Sequence, residues 1–368
     1  MARREYYDAV IVGGGPAGSS TAGTLVDAGL KVLLLDKSPF PRDKVCAGWI
    51  TPQVVELAEL DLKDYQHGRT LQPIRRFRTG MLGETMLTTA YDNIVSYGIL
   101  RREFDHYLLQ RSGAELHLGE PLGEVERDGN EWLINNNIAT PLLIGAGGHA
   151  CPVARMLNLQ AKNRGEVVVA QEVEFPLNAA QSERCQVQGD TPELYFLPEL
   201  DGYGWCFRKG NYINIGLGRT HNRQLGAYVE WFRRYLIEQG RVPEDIPENF
   251  HGHAYRLATG HAKRKIIDDG VMLAGDAVGL AYPHSGEGIR TAIESGILAA
   301  EAAIGAQGDY RGENLKNYET KLNARYSSDG EEQKLLPQSV RHFFAHLLLS
   351  NRFLTRRIVL DNWFLHPG

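Results

Sequence analysis

Residues 7–38 read YDAVIVGGGPAGSSTAGTLVDAGLKVLLLDKS, and this stretch decides the fold. An apolar run at 9–12 meets glycines 13–15, and a second apolar run at 32–35 ends on Asp36. The residues after Pro16 have helical character, so the pattern is strand, glycine turn, helix, strand: one βαβ unit. Gly13, Gly15 and Gly18 form a GxGxxG. In such a turn the first glycine permits the sharp bend, the second lets backbone approach a pyrophosphate, and the third lets helix and strand pack closely. The helix start then offers N–H groups and a positive dipole to phosphates. Asp36 stands 18 residues beyond Gly18, where a carboxylate can hold an adenosine ribose, with Lys37 beside it. The stretch therefore predicts dinucleotide binding.

The remaining bulk properties narrow the class. With 368 residues the chain has room for two domains or one enlarged enzyme fold. A net charge of -5 argues against a general nucleic-acid binder, which needs a basic field. No run approaches the roughly 18 apolar residues of a spanning helix. The opening MARREYYDAVIVGGG reads as a first strand rather than a signal peptide, because glycines cut its apolar run short. Cys46, Cys151, Cys185 and Cys206 are too widely spaced for a CxxC pair or a zinc knuckle. No metal site is predicted, and a reducing, cytoplasmic setting is expected.

Along the chain, residues 101–112 have helical spacing, and 115–145 alternate between turn signals as a small β-meander would. Residues 165–220 predict a separate antiparallel sheet with one solvated face. Residues 222–240 are helical. LAGDAVGLAYPHSGEGI, residues 273–289, is a second glycine-rich strand end: Gly275 and Asp276 close the strand, and a loop through Pro283 leads to a helix near Gly286. A carboxylate there can accept hydrogen bonds from a polyol chain. The bare N–H groups around Gly286, Glu287, Gly288 and Ile289 suit the electron-rich edge of an isoalloxazine. FAD is thus expected rather than NAD.

The GxGxxG with its acid, the segment RREFD at 101–105, GAGGHACPVAR and GDAVGLAYPHSGEGI together resemble the FAD monooxygenase fold of the p-hydroxybenzoate hydroxylase type. Within that fold, KVCAGW and GYGWCFRKGNYINIGLG are similar to the geranylgeranyl reductase family, over roughly residues 5–325. The resemblance implies that Cys46, with Ala47, faces the flavin, that Arg101 contacts the cofactor, and that Tyr203, Trp205 and Phe207 line a lipid pocket. Three departures stand out. Arg208 replaces the family's proline, GAGG replaces GADG with Gly147 and Cys151 in place of aspartate and serine, and the C-terminal part is short.

The expected architecture is α/β: a Rossmann-type FAD domain in three pieces (1–70, 101–165 and 261–325), an inserted antiparallel substrate domain (71–100 and 166–260), and a C-terminal helical cap (326–368). The expected function is reduction of carbon–carbon double bonds in an isoprenoid-like or other apolar small molecule. Cys46 and His284 are the candidate proton donors, and the electron donor is NAD(P)H or another reductant, such as a donor protein. The alternatives are a monooxygenase, less readily a halogenase, acting on a small molecule or on a partner protein during its maturation, and a flavin-bearing binding protein with little turnover. Residues 333–368 hold five Lys or Arg against one acid, with Phe343, Leu347, Leu354 and Ile358 on one stripe. That tail reads first as a helix packed on its own protein, with peripheral membrane contact as the secondary reading.

Overall fold

The computed structural model describes residues 4–156, 167–220, 224–258, 265–326 and 338–365. The two apolar runs form the strands Ala9–Val12 and Val32–Asp36, buried at every position. Continuous burial, rather than alternation, is what a parallel strand covered on both faces needs. They pair in parallel, Ala9 opposite Val32 and Val12 opposite Leu35. The full sheet has six strands in the order Ile267–Asp268, Val271–Leu273, Leu143–Gly145, Ala9–Val12, Val32–Asp36, Glu115–Leu118. Glu115–Leu118 was expected in the meander; it instead extends the parallel sheet, where Leu116 and Leu118 pack against the core. The meander itself is Val125–Asp128, Glu131–Ile134 and Ile138–Thr140, with Glu5–Tyr6 added at its edge.

The helix Pro16–Asp27 opens with proline at its first turn, where the missing N–H costs nothing. It packs closely on the helix Ile289–Gly305: a Cβ on Gly296 would lie 2.4 Å from the Ala17 carbonyl oxygen. Thr21 Oγ1 donates to the Gly296 carbonyl at 3.1 Å across the same crossing. This contact brings the N-termini of both helices to one side of the sheet.

A second sheet has seven strands, ordered His251–Arg256, Val167–Pro176, Tyr212–Arg219, Gly202–Lys209, Glu193–Phe196, Arg76–Met81, Leu87–Ala90. It is antiparallel except where Glu193–Phe196 pairs in parallel with Arg76–Met81. The central strands are covered on both faces, where one open face was expected. The helix Leu225–Glu238 covers one side through Val229, Phe232 and Leu236. The C-terminal segment covers the other: Leu349, Val359, Leu360 and Phe364 pack on Leu194, Trp205 and Phe207. Among the described residues, no helix is long and apolar enough to cross a membrane.

Candidate active site

A cavity of about 620 Å³ lies between the two sheets, and both glycine-rich loops open onto it. At one end, Gly13 has φ +117°, and a Cβ there would lie 2.4 Å from the Ala146 carbonyl oxygen. A Cβ on Gly18 would lie 1.8 Å from the Gly13 carbonyl oxygen. The first and third glycines are therefore required by backbone contact. Gly15 caps the helix without a side-chain hydrogen bond, and Gly15, Pro16 and Ala17 line the cavity. Asp36 Oδ2 accepts from the Gly14 N–H at 2.7 Å and Oδ1 from the Ser38 N–H at 2.8 Å, which fixes its carboxylate at the cavity wall. Buried Arg101 is held by Asp105 through bonds of 2.8 and 3.0 Å, and Arg42 approaches the same carboxylate at 3.4 Å.

At the other end, Gly288 caps Ile289–Gly305, again without a side-chain bond. Gly286 has φ +70°, and a Cβ there would lie 2.3 Å from the Tyr255 hydroxyl. Asp276 Oδ1 stands 3.3 Å from where a Cβ on Gly288 would lie, and burial pushes its carboxyl above the usual range. Two uncapped helix N-termini thus face one cavity, with cations near the first and close glycine backbone at the second. A ligand with a pyrophosphate at one end and an acceptor-rich ring at the other satisfies both. These residues fit FAD.

The segment around Cys46 is gripped from the second sheet. The Cys46 N–H donates to Glu172 Oε1 at 2.6 Å, and Asn214 Nδ2 donates to the Cys46 carbonyl at 3.1 Å. Lys209 Nζ donates to the carbonyls of Ala47 (3.0 Å) and Ile99 (2.9 Å) and pairs with Glu174. Gly48, at φ +66°, has no room for a side chain, since its Cβ would lie 2.2 Å from the Ile99 carbonyl oxygen. Its N–H donates to Cys46 Sγ at 3.5 Å. Asn214 also accepts from Trp205 Nε1 at 2.7 Å, so one amide holds both the cysteine loop and the central aromatic of GYGWCFR. Burial pushes the Glu172 carboxyl up to about 7, outweighing the Cys46 N–H, which favours its ionised form.

The aromatics form a continuous wall. Phe364 stacks on Trp49 with centroids 5.5 Å apart and planes at 11°, and meets Tyr203 edge-on at 5.4 Å. Tyr203 donates its hydroxyl to the Ser285 carbonyl. Near the opposite rim, Lys44 Nζ lies 3.2 Å from His253 Nε2. Burial, then the Lys44 charge, pushes His253 down to about 3, so its imidazole is neutral at neutral pH.

Of the residues singled out from sequence, Gly13, Gly15, Asp36, Lys37, Cys46, Ala47, Arg101, Tyr203, Trp205, Asp276, Gly286, Glu287, Gly288 and Ile289 line the cavity. Gly18 and Gly275 stand behind it as packing and turn positions: Gly275 has φ +65°, and its N–H donates to Ser295 Oγ at 2.9 Å. Phe207 lies behind Trp49, edge-on at 5.8 Å. Pro283 is not a wall residue, and the His284 ring stacks on Trp363 at 5.1 Å and 16°, with burial lowering its basicity. Gly147 lines the cavity where the family has an aspartate; a Cβ there would lie 3.0 Å from Pro152 Cδ and 3.2 Å from Cys151 Cα.

Sequence reading missed Lys44, Trp49, Glu172, Asn214, His253, Tyr255 and Phe364. Glu172 and Asn214 carried a signal, being polar residues flanked by apolar neighbours at buried strand positions. Phe364 carried none, because only the return of the chain end brings it to the cavity.

The FAD binding domain family matches residues 6–62. The chain is 31% identical over 312 residues to a menaquinone reductase of Mycobacterium tuberculosis, covering 77% of this chain and 72% of that one. It is 27% identical over 309 residues to a digeranylgeranylglycerophospholipid reductase of Methanocaldococcus jannaschii, covering 78% and 74%. The fold matches a geranylgeranyl bacteriochlorophyll reductase-like protein of Thermoplasma acidophilum with TM-score 0.78 at 23% identity, over 94% of this chain and 91% of that one. It also matches PqsL of Pseudomonas aeruginosa with TM-score 0.67 at 18% identity, over 95% and 98%. With the glycine-gripped cavity, the Cys46 loop and the aromatic strand in place, these relationships mean that the chain belongs to the geranylgeranyl reductase family of FAD-dependent oxidoreductases.

Proposed function

We propose that the enzyme reduces carbon–carbon double bonds of an isoprenoid-like, apolar substrate beside the flavin. The observation that carries this reading is the wall of Trp49, Tyr203, Trp205 and Phe364, which shares one cavity with the two helix N-termini. Relatives that carry reductase names support it. Bound FAD in its reduced form supplies the hydride. The protein's part is to exclude water, hold the alkene against the flavin and deliver a proton to the second carbon. An unactivated alkene has no carbonyl to spread charge, so orientation and a placed acid carry most of the burden. Cys46 is assigned to the wall that meets the flavin face: it lines the cavity, and its backbone is clamped on both sides. The reductant is NAD(P)H or a donor protein.

The closing of the aromatic wall by Phe364 favours a second reading, oxygenation of a compact substrate or of a side chain of a partner protein. One experiment separates the two. The purified holoprotein is reduced anaerobically and then mixed with a polyprenyl alkene or with oxygen. Reoxidation by the alkene, with a saturated product, is expected. A long-lived hydroperoxide absorbance together with no reaction with alkene would replace the reductase reading with the oxygenase.

Peripheral docking on an anionic bilayer is proposed for the C-terminal helices. Phe353 is 69% exposed, Phe344 50% and Leu347 43%, beside exposed Arg352, Arg356 and Arg357. This differs from the stripe read from sequence: Leu354 and Ile358 are half-buried, and the Phe343 side chain lies outside the described residues. Apolar tips flanked by arginines suit an anionic lipid surface. Co-sedimentation with anionic vesicles should be lost in a Phe344→Ser, Phe353→Ser double variant; unchanged binding would refute the assignment.

A further inference from the structure

Glu287 stands between Gly286 and Gly288 where the chain turns into the helix Ile289–Gly305, and the residue borders the cavity. Both of its carboxyl oxygens are buried, and neither has a hydrogen-bond partner among the described residues. Asp36, on the cavity wall, is satisfied by two backbone N–H groups, and Glu172, beneath the cysteine loop, by the Cys46 N–H and Asn214. The Glu287 backbone is fixed as well, its N–H on Ser285 Oγ at 3.2 Å and its carbonyl on the Tyr282 N–H at 3.0 Å. A carboxyl held on a rigid turn with no partner is poorly built as a structural anchor. It is well built as a group whose partner arrives with the reaction.

We propose that Glu287 is the proton-donating acid of the flavin cavity. The assignment rests on the alkene-reduction reading for its substrate step. In that step hydride from reduced FAD adds to one alkene carbon, the π pair forms a C–H bond with the proton from Glu287 at the other carbon, and Glu287 is left as a carboxylate. Water returns the proton. The groups facing the carboxyl are Arg290 on its own helix, Tyr203 of the aromatic strand, Tyr282 of the preceding loop, and Tyr255 and Asp276 beside the flanking glycines. Burial disfavours the carboxylate more than Arg290 favours it, so the acid holds its proton up to about pH 7. Arg290 then stabilises the carboxylate formed on donation.

The test uses wild-type holoprotein, Glu287→Gln and Glu287→Asp, each with its FAD content measured first. The midpoint potential of bound FAD is followed against pH, and single-turnover reoxidation by a polyprenyl alkene is followed alongside. A change of slope near neutrality in wild type that is absent in E287Q supports the assignment, as does a loss in alkene reoxidation of about 10²–10⁴-fold in E287Q with partial rescue by E287D. Wild-type reoxidation should fall as pH rises through about 7, because the acid form is lost there. Identical potential–pH lines in wild type and E287Q would overturn the assignment. A neutral-pH change of slope present in wild type and absent in E287Q, with no reoxidation by alkene in either, would leave the acid in place and remove the alkene reading.

Discussion

Glu172 Oε1 accepts a 2.6 Å hydrogen bond from the backbone N–H of Cys46, joining a strand of the second sheet to the loop that faces the cavity. The other side of the same peptide segment is held by Asn214, 3.1 Å from the Cys46 carbonyl. The cysteine loop is thus positioned by side chains from strands more than a hundred residues later in the chain.

This grip makes stability depend on pH in a defined direction. Glu172 and Glu287 are both raised from the usual carboxyl range to about 7, so the folded protein binds more protons than the unfolded chain between about 4.5 and 7. Their contribution is greatest at the acid end of that window and is lost as pH rises through it. Glu172→Gln should flatten the dependence of unfolding free energy on pH over this range relative to wild type. Parallel curves for the two proteins in urea titrations would contradict it.

Glu172→Ala should cost ~1–3 kcal/mol, since it leaves the half-buried Cys46 N–H and one Asn214 contact unpaired. Chemical denaturation measures the loss, and quenching of flavin fluorescence reports whether the loop has moved.

Cys46→Ala and Cys46→Ser should retain FAD, because the contacts that clamp the loop are made by its backbone. Alkene turnover should fall by about an order of magnitude or more, which corresponds to at least ~1.4 kcal/mol of transition-state stabilisation. Unchanged turnover would leave the thiol as a packing group.

Asp36→Ala should weaken FAD retention by roughly 10–100-fold through loss of the carboxylate fixed at the first glycine turn. Equilibrium dialysis of the apoprotein against FAD measures it.

Phe364→Ala should destabilise the fold by ~3–5 kcal/mol, as it removes a buried ring from the aromatic wall. If the fold survives, the cavity lengthens at that end, and the preference among polyprenyl substrates should move towards longer chains in competition assays.

The nucleotide half of this protein was legible because its determinants are written as short residue patterns: a GxGxxG, an acid at the end of the next strand and a second glycine-rich strand end. The contacts that require those glycines, such as Gly13 against Ala146 and Gly286 against Tyr255, come from distant segments. Alternation likewise placed Trp205 and Phe207 on one face and Cys206 on the other. The substrate half depends on contacts between distant segments. Glu115–Leu118 reads as an isolated alternating run, yet the parallel sheet recruits it because its leucines find the core there. His284 reads as a cavity residue by its position near Gly286, but stacking on Trp363 takes it away. The sequence by itself determined that the chain builds a flavin cradle and where its glycines and Asp36 stand. Only tertiary structure decided what faces that cradle: Glu172 and Asn214 beneath the cysteine, Phe364 closing the wall, and a Glu287 carboxyl with no hydrogen-bond partner among the described residues. The reason is that burial and hydrogen-bond satisfaction are properties of the packed neighbourhood, which chain-local pattern does not contain.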